Sequence, residues 1–286
     1  MTDIFERSVR KRMPRHGQPM GVFLSGGLDS SLVAAVVSKL REDVTYFTLG
    51  NEKSSDLEAV RRVIQELGLN DVRVIPLPSY SQLPGLLKSV VYATESYNPS
   101  IVSNGLATFL LAQAAHKAGI KVVLTGEGAD EFFGGYHYFD KDSPWKETRE
   151  QLIDDMQFTE LRRLDMSCMA HSVEPRCPFL DIELRSYSDQ LDFDEMYSGN
   201  QNKVTLRRAF DGVLPEELLN RPKTSCDVGS GIRGQVVRYL RRNGLTERRE
   251  LQTIWQHIFP HRVEAPFFHS YPVFDEAIER RGETHR

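Results

Sequence analysis

Ser25-Gly26-Gly27-Leu28-Asp29-Ser30 separates two apolar segments of different period, and its reading decides the fold. Ahead of it, Gly21-Val22-Phe23-Leu24 is short and apolar, as a buried parallel strand should be. Behind it, Leu32, Val33, Ala35, Val36, Val37 and Leu40 recur at helical spacing. In such a strand–loop–helix, two glycines let backbone N–H groups converge on an anion at the helix N-terminus, and the serines add hydroxyl donors. Asp29 would repel a bare phosphate, so a cation has to lie between them. A Mg²⁺-phosphate chain resolves the conflict and makes the loop a nucleotide site. The same residues also fit a plain helix N-cap after a glycine turn. The loop lacks the lysine of a Walker-type loop, which speaks against that NTPase class.

A chain of 286 residues holds one large α/β domain or two small ones. Its 40% hydrophobic and 27% charged residues are those of an ordinary globular protein. A formal net charge of −4 offers nothing to nucleic acid at large, so any phosphate site must be local. No apolar run reaches membrane-spanning length, and the segment from Met1 to Glu6 lacks a signal peptide's apolar core. Cys168, Cys177 and Cys226 are odd in number and have no metal-ligand spacing, so they read as reduced thiols. The expectation is a cytoplasmic protein with neither a membrane nor a nucleic-acid partner. Homo-oligomerisation is compatible with the sequence and not specified by it.

Residues 4–13 predict a basic lead-in helix. Val44–Leu49 predicts a second strand, 56–67 an amphipathic helix capped at Gly68, and 72–76 a third strand. A long helix over about 102–118, closed by Gly119, leads into a fourth strand at 121–125. This alternation predicts an α/β fold with a doubly wound parallel sheet. Ligands bind such sheets beyond the strand C-termini at the topological switch point, and the loops after Leu24 and Thr125 both fall at strand C-termini. From about Trp145 the strand pattern disappears, and a helical C-terminal half is predicted, continuous with the sheet. Residues 1–247 are read as one domain and 248–286 as a tail, in which Trp255, Ile258 and Phe259 could pack back. Asp275 to Arg286 is charged and expected to be disordered.

The second loop reads Thr125-Gly126-Glu127-Gly128-Ala129-Asp130-Glu131, followed by Phe132-Phe133-Gly134-Gly135-Tyr136. Its small residues let backbone approach a ligand closely. Its carboxylates suit a divalent-cation ligand and a proton acceptor beside a phosphate loop, or a solvated acidic turn.

SGGLDSS, then GEGADEFFGGY, then Glu174-Pro175-Arg176-Cys177-Pro178-Phe179-Leu180-Asp181 form an ordered set. That set resembles the synthetase domain of the glutamine-hydrolysing asparagine synthetases and the related β-lactam synthetases, within the N-type ATP pyrophosphatases. The resemblance runs from about Phe5 to at least Gly231. It implies an adenine nucleotide alpha hydrolase-like fold with a PP-loop. It also implies cleavage of ATP between its α and β phosphates to adenylate a carboxylic acid.

By position, the resemblance assigns Ser25, Gly26, Gly27, Asp29 and Ser30 to the pyrophosphate loop, with Asp29 and Asp130 on Mg²⁺. Leu24, Thr48, Thr125 and Gly126 match positions that hold the adenosine part. Glu127 matches a glutamate near the acyl-adenylate, where the attacking amine loses a proton. β-Lactam synthetases carry tyrosine there, so Glu127 favours intermolecular amidation. Lys203, in Lys203-Val204-Thr205-Leu206-Arg207, matches a lysine that neutralises charge on the α-phosphate and departing pyrophosphate; it also fits a solvated lysine opening a helix. Lys223 matches a second basic position near the polyphosphate. Glu160 matches an acidic residue that orients the lysine or the catalytic residue. Glu174 and Arg176 read as a bracing ion pair, and His137 and His171 as structural histidines.

Two departures narrow the reading. The family's glutaminase domain opens with a catalytic cysteine, and with the pyrophosphate loop already at Ser25 no such domain is expected here. Nitrogen is therefore expected from free ammonia, a separate glutaminase subunit or an amine substrate. Ser100 and Ser103 stand where the family carries threonine and arginine, and Asn98 where an aspartate is common. Losing a guanidinium removes a bidentate carboxylate partner, so an acid other than free aspartate is expected. The reading is an ATP-dependent amide-forming ligase that releases AMP and pyrophosphate. A ring-forming synthetase and a nonenzymatic nucleotide-binding subunit are the alternatives. The net acidity and the lack of a reactive cysteine motif weigh against tRNA thiolation.

Overall fold

The computed structural model describes residues 1–136, 141–199 and 201–260. His137 and the charged stretch from Asp275 onward lie outside the described residues. Strands β1 (Met20–Phe23), β2 (Val44–Leu49), β3 (Asp71–Ile75), β4 (Val122–Leu124) and β5 (Glu174–Arg176) form one sheet in the order β3-β2-β1-β4-β5. Every neighbouring pair is parallel. The chain moves outward from β1 to β3 and then returns to the other side of β1 for β4, so the switch point lies between β1 and β4. β1 and β2 are buried at every residue, which is why they read as short apolar runs without alternation.

Helices α1 (Thr2–Arg12), α2 (Leu28–Leu40), α3 (Ser55–Leu67), α4 (Leu83–Thr94) and α5 (Pro99–Lys117) account for most of the first half. One apolar cluster joins Phe5, Leu32, Val33 and Val60. A second joins Phe47, Leu87, Leu106 and Trp255. α3 ends on Gly68 in the left-handed conformation (φ +61°), as the sequence predicts. At the start of α5, the Asn98 side chain accepts from Ser100 N (2.8 Å) and Ile101 N (3.3 Å). Asn98 is thus a helix cap, a task asparagine and aspartate perform equally well.

The second half departs from the expected pattern at β5. This strand has three residues, one of them proline, and two charged ends, so no periodicity marks it. It sits at the sheet edge, where proline and charge are tolerated. Arg176 Nε lies 2.9 Å from Glu174 Oε1, the expected ion pair, and Arg176 Nη1 donates to Arg12 O at 2.8 Å. A two-residue hairpin, Tyr197–Ser198 with Gln201–Asn202, is too short to show in sequence. α4 likewise went unread.

Helices α6 (Ala129–Phe133), α7 (Trp145–Asp155) and α8 (Glu160–Met169) precede β5. The helix Glu247–Ile258 closes the described chain. Among the described residues no helix is long and apolar enough to cross a membrane. The three cysteines are free, and burial pushes the Cys177 thiol up to about 12 while raising Cys168 and Cys226 as well.

Trp255 is 1% exposed, meets Tyr97 edge-on at 5.4 Å, and donates its indole N–H to Glu95 O at 3.0 Å. Trp255→Ala therefore leaves a cavity and an unmatched carbonyl, and should cost about 3–5 kcal/mol in denaturant unfolding.

Candidate active site

The loop after β1 is closed by its own serines. Ser25 N donates to Ser30 Oγ at 3.1 Å, Gly27 N donates to Ser25 Oγ at 3.3 Å, and Ser30 Oγ donates to Gly27 O at 3.2 Å. Gly26 adopts φ +71°, and a Cβ there would lie 2.8 Å from Ala59 Cβ and 2.9 Å from Val60 N. Its glycine character serves close packing on α3, and Gly26 is absent from the cleft wall.

The loop after β4 is pinned by Thr125 N donating to Arg176 O at 3.0 Å, so the edge strand missed in sequence fixes it. A Cβ on Gly126 would stand 2.8 Å from both Asp29 Cβ and Ser30 N. The two loops therefore touch backbone to backbone, as only glycine allows. Between them opens a cleft of about 270 Å³. Leu24, Ser25, Gly27, Asp29, Ser30 and Thr48 line one part. Thr125, Gly126, Glu127, Asp130, Glu160, Lys203 and Lys223 line the rest. Apart from Gly26, every residue singled out in sequence for this site meets there.

Lys203 sits in the middle, 3% exposed. Its Nζ is 2.6 Å from Asp29 Oδ2 and 2.6 Å from Asp130 Oδ1. It starts the short helix Val204–Ala209 with φ +53°, a conformation uncommon for a side chain of this size. The Lys223 ammonium contacts the second oxygen of Asp130. Burial pushes the Asp29 carboxyl up, with Lys203 opposing. At Asp130 burial acts the same way but is outweighed, and Lys203 and Lys223 hold its carboxyl below the usual range. Burial works to lower Lys223 as well, yet Asp130 and Asp29 hold it above the ordinary lysine value. Two hard-oxygen donors converging on one cation position also suit Mg²⁺, which takes one or two carboxylates plus phosphate oxygens. Among the described residues no larger His/Cys/Asp/Glu cluster could hold a metal.

Beyond this point lies a second group. Arg163 Nη2 donates to Glu127 Oε1 at 2.8 Å and Nη1 to Thr108 Oγ1 at 3.2 Å. Glu160 is half-buried, accepts from Thr159 Oγ1, and is pushed up by the burial it has. Glu131 accepts from the Tyr136 hydroxyl, and burial, with Glu160 and Asp130 nearby, pushes it up to about 8. Sequence reading missed Arg163 and gave Tyr136, at the end of the second loop, no role. The available signal for Arg163 was a basic residue beside Leu164 on the buried side of α8.

Ser100 faces the cleft, whereas Ser103 is 2% exposed and donates to the buried carboxylate of Asp227. His171 packs edge-on against Phe109 at 4.2 Å, and burial lowers its pKa, in keeping with a structural histidine.

The Asparagine synthase family model matches residues 1–158 and 146–269. The chain is 35% identical over 241 residues to an asparagine synthetase (glutamine-hydrolysing) of Gallus gallus, covering 79% of this chain and 42% of that protein. It is 33% identical over 252 residues to asparagine synthetase (glutamine-hydrolysing) 2 of Oryza sativa subsp. japonica, again covering 79% and 42%. It aligns with the solved NMN synthetase from Francisella tularensis over 93% of this chain and 92% of that one, at 15% identity and a TM-score of 0.45. The chain belongs to the asparagine synthase family. It spans about two-fifths of the length of those curated relatives, 42% in each case.

Asp56, on the cleft wall, is 2% exposed and pairs with Arg221 Nη2 at 2.7 Å. Burial pushes its carboxyl from 3.8 up to about 6 against the pull of Arg221. Between those values the folded chain holds a proton that the unfolded chain has lost, so this group's contribution to stability falls as pH rises through that window. Asp56→Asn removes the effect. The stability of the wild type relative to the variant should drop by about 2–3 kcal/mol across that pH range in denaturant titrations. A difference independent of pH would mean that Asp56 stays ionised throughout.

Proposed function

We propose that this chain uses MgATP to adenylate a carboxylic acid and then transfers ammonia or an amine to the activated acyl group. The observation that carries the reading is the Lys203 ammonium held 2.6 Å from carboxylate oxygens of both Asp29 and Asp130, one from each strand-end loop. Pyrophosphate departure needs that concentration of fixed charge at one point.

A substrate carboxylate oxygen attacks the α-phosphorus, and the bond from that phosphorus to the bridging oxygen breaks to release pyrophosphate. Ser25, Gly27 and Ser30 orient the leaving phosphates, while Lys203 and Lys223 neutralise the charge gathering on them. Asp29 and Asp130 would hold Mg²⁺, which supplies Lewis-acid stabilisation of the phosphate oxygens. Leu24, Thr48, Thr125 and Gly126 flank the adenosine part. In the second step the nitrogen nucleophile adds to the acyl carbon and gives a proton to Glu127, whose orientation Arg163 fixes. The acyl–oxygen bond to AMP then breaks, leaving the amide. Glu160 steadies the Arg163–Glu127 pair.

Free aspartate is not the proposed acid. Ser103 bonds to Asp227 inside the protein and offers no guanidinium to a second carboxylate. The nitrogen nucleophile in this reading is ammonia or an amine.

Screening carboxylic acids for ATP–pyrophosphate exchange, then adding ammonia, glutamine or amines to the best one, tests the proposal. The expected products are AMP, pyrophosphate and an amide of the summed mass; ADP and phosphate would overturn it, and a product formed by internal loss of water would mark ring closure instead. Glu127→Gln should keep exchange and slow amide formation by about 10²–10⁴-fold. Equal loss of both steps would remove Glu127 from the proton-accepting role.

A further inference from the structure

Among the described residues five basic side chains line the cleft: Arg163, Lys203, Arg207, Arg221 and Lys223. Arg163 meets Glu127, Lys203 meets Asp29 and Asp130, Arg221 meets Asp56, and Lys223 meets Asp130. Among the described residues Arg207 has no carboxylate in contact. It is 8% exposed. Its Nε donates to Asn202 O at 2.6 Å and its Nη2 to Asn202 Oδ1 at 2.8 Å, while Nη1 is buried with no hydrogen-bond partner among the described residues.

Asn202 holds the guanidinium through both its backbone and its side-chain oxygen. Asn202, its anchor, donates through Nδ2 to Gly135 O at 2.7 Å, tying it to the stretch that follows Asp130. Arg207 N donates to Lys203 O at 3.0 Å, so the two cations stand one helical turn apart on the same face. Burial pushes the pKa of Arg207 down and the nearby Asp29 charge counters it, as expected of a cation sharing a field with the phosphate-binding groups. Among the described residues the carboxylates in contact with Lys203 and Lys223 are Asp29 and Asp130, and Arg207 contacts none. Arg207 has Asp29 near it but no carboxylate in contact, and a buried guanidinium with one nitrogen unpaired calls for an anion.

We infer that Arg207 binds the β and γ phosphates of ATP and the pyrophosphate they become, donating from Nη1 to a non-bridging oxygen. The inference rests on the cleft being an ATP site. Arginine suits the task because its planar fork stays charged when buried and two of its nitrogens can be fixed while the third remains to bind.

Calorimetric titration of the full chain with magnesium pyrophosphate, MgATP and AMP, alongside thermal unfolding, tests it. Arg207→Gln should weaken pyrophosphate and ATP roughly tenfold to a hundredfold and leave AMP within about twofold. Arg207→Lys, which keeps the charge and loses the fork, should fall between that variant and the wild type, and it carries the test if Arg207→Gln does not fold. Unchanged pyrophosphate affinity in the variants would overturn the inference while leaving the ATP site intact. Equal weakening of AMP and pyrophosphate together with a lowered melting temperature would also overturn it, marking Arg207 as a brace for the Tyr197–Asn202 hairpin. A wild type that binds neither ATP nor pyrophosphate would instead remove the reading on which it rests.

Discussion

The Lys203 ammonium lies 2.6 Å from an oxygen of Asp29 and 2.6 Å from an oxygen of Asp130, and the arrangement of the cleft follows from that bridge. Asp29 belongs to the helix that follows β1, Asp130 to the short helix that follows β4, and Lys203 to a segment far along the chain. Two like charges meeting at one half-buried point repel each other, so the cation between them holds the loops together. Lys203 takes a left-handed backbone conformation to reach that point, a strain on the order of 1–3 kcal/mol that the ion pairs offset.

The sheet order brings the two loops together. β1 and β4 are neighbours at the switch point, so the turns leaving them lie side by side and border one crevice. Gly126 then decides how closely the loops approach, because its bare backbone rests against Asp29 and Ser30. Asp130 pairs with Lys203 and Lys223, and Glu127 with Arg163, so the two groups of charges are distinct. That separation suits a reaction in which one charge must be drawn off as a leaving group and a proton accepted elsewhere.

Membership in the asparagine synthase family agrees with the ordered motifs, whereas several features of the site were not legible in them. β5 is three residues of mixed character at an edge, and only its backbone bonds, including Arg176 O to Thr125 N, give it a role. Arg163 belongs to a helix whose inward face is otherwise apolar, and nothing in the spacing says that its guanidinium reaches Glu127. Gly26 read as part of the anion loop, but its positive φ and its closeness to Ala59 tie it to helix packing. Ser103 was recognisable as a missing arginine, yet its attachment to Asp227 depends on a helix more than a hundred residues away, from Cys226 to Gly229.

By itself the sequence determined the local elements and their order. Burial on both faces writes continuous apolar runs for β1 and β2, helices repeat at their own period, and glycines mark where backbone must approach backbone. It also determined which residues lie at strand ends, and hence most of the cleft wall. Tertiary structure alone decided which charges pair. Ion pairing depends on distances of a few ångströms between segments remote in the chain, and no local spacing encodes them. That is why Lys203 bridges two aspartates while Arg207, one turn away, has no carboxylate in contact among the described residues.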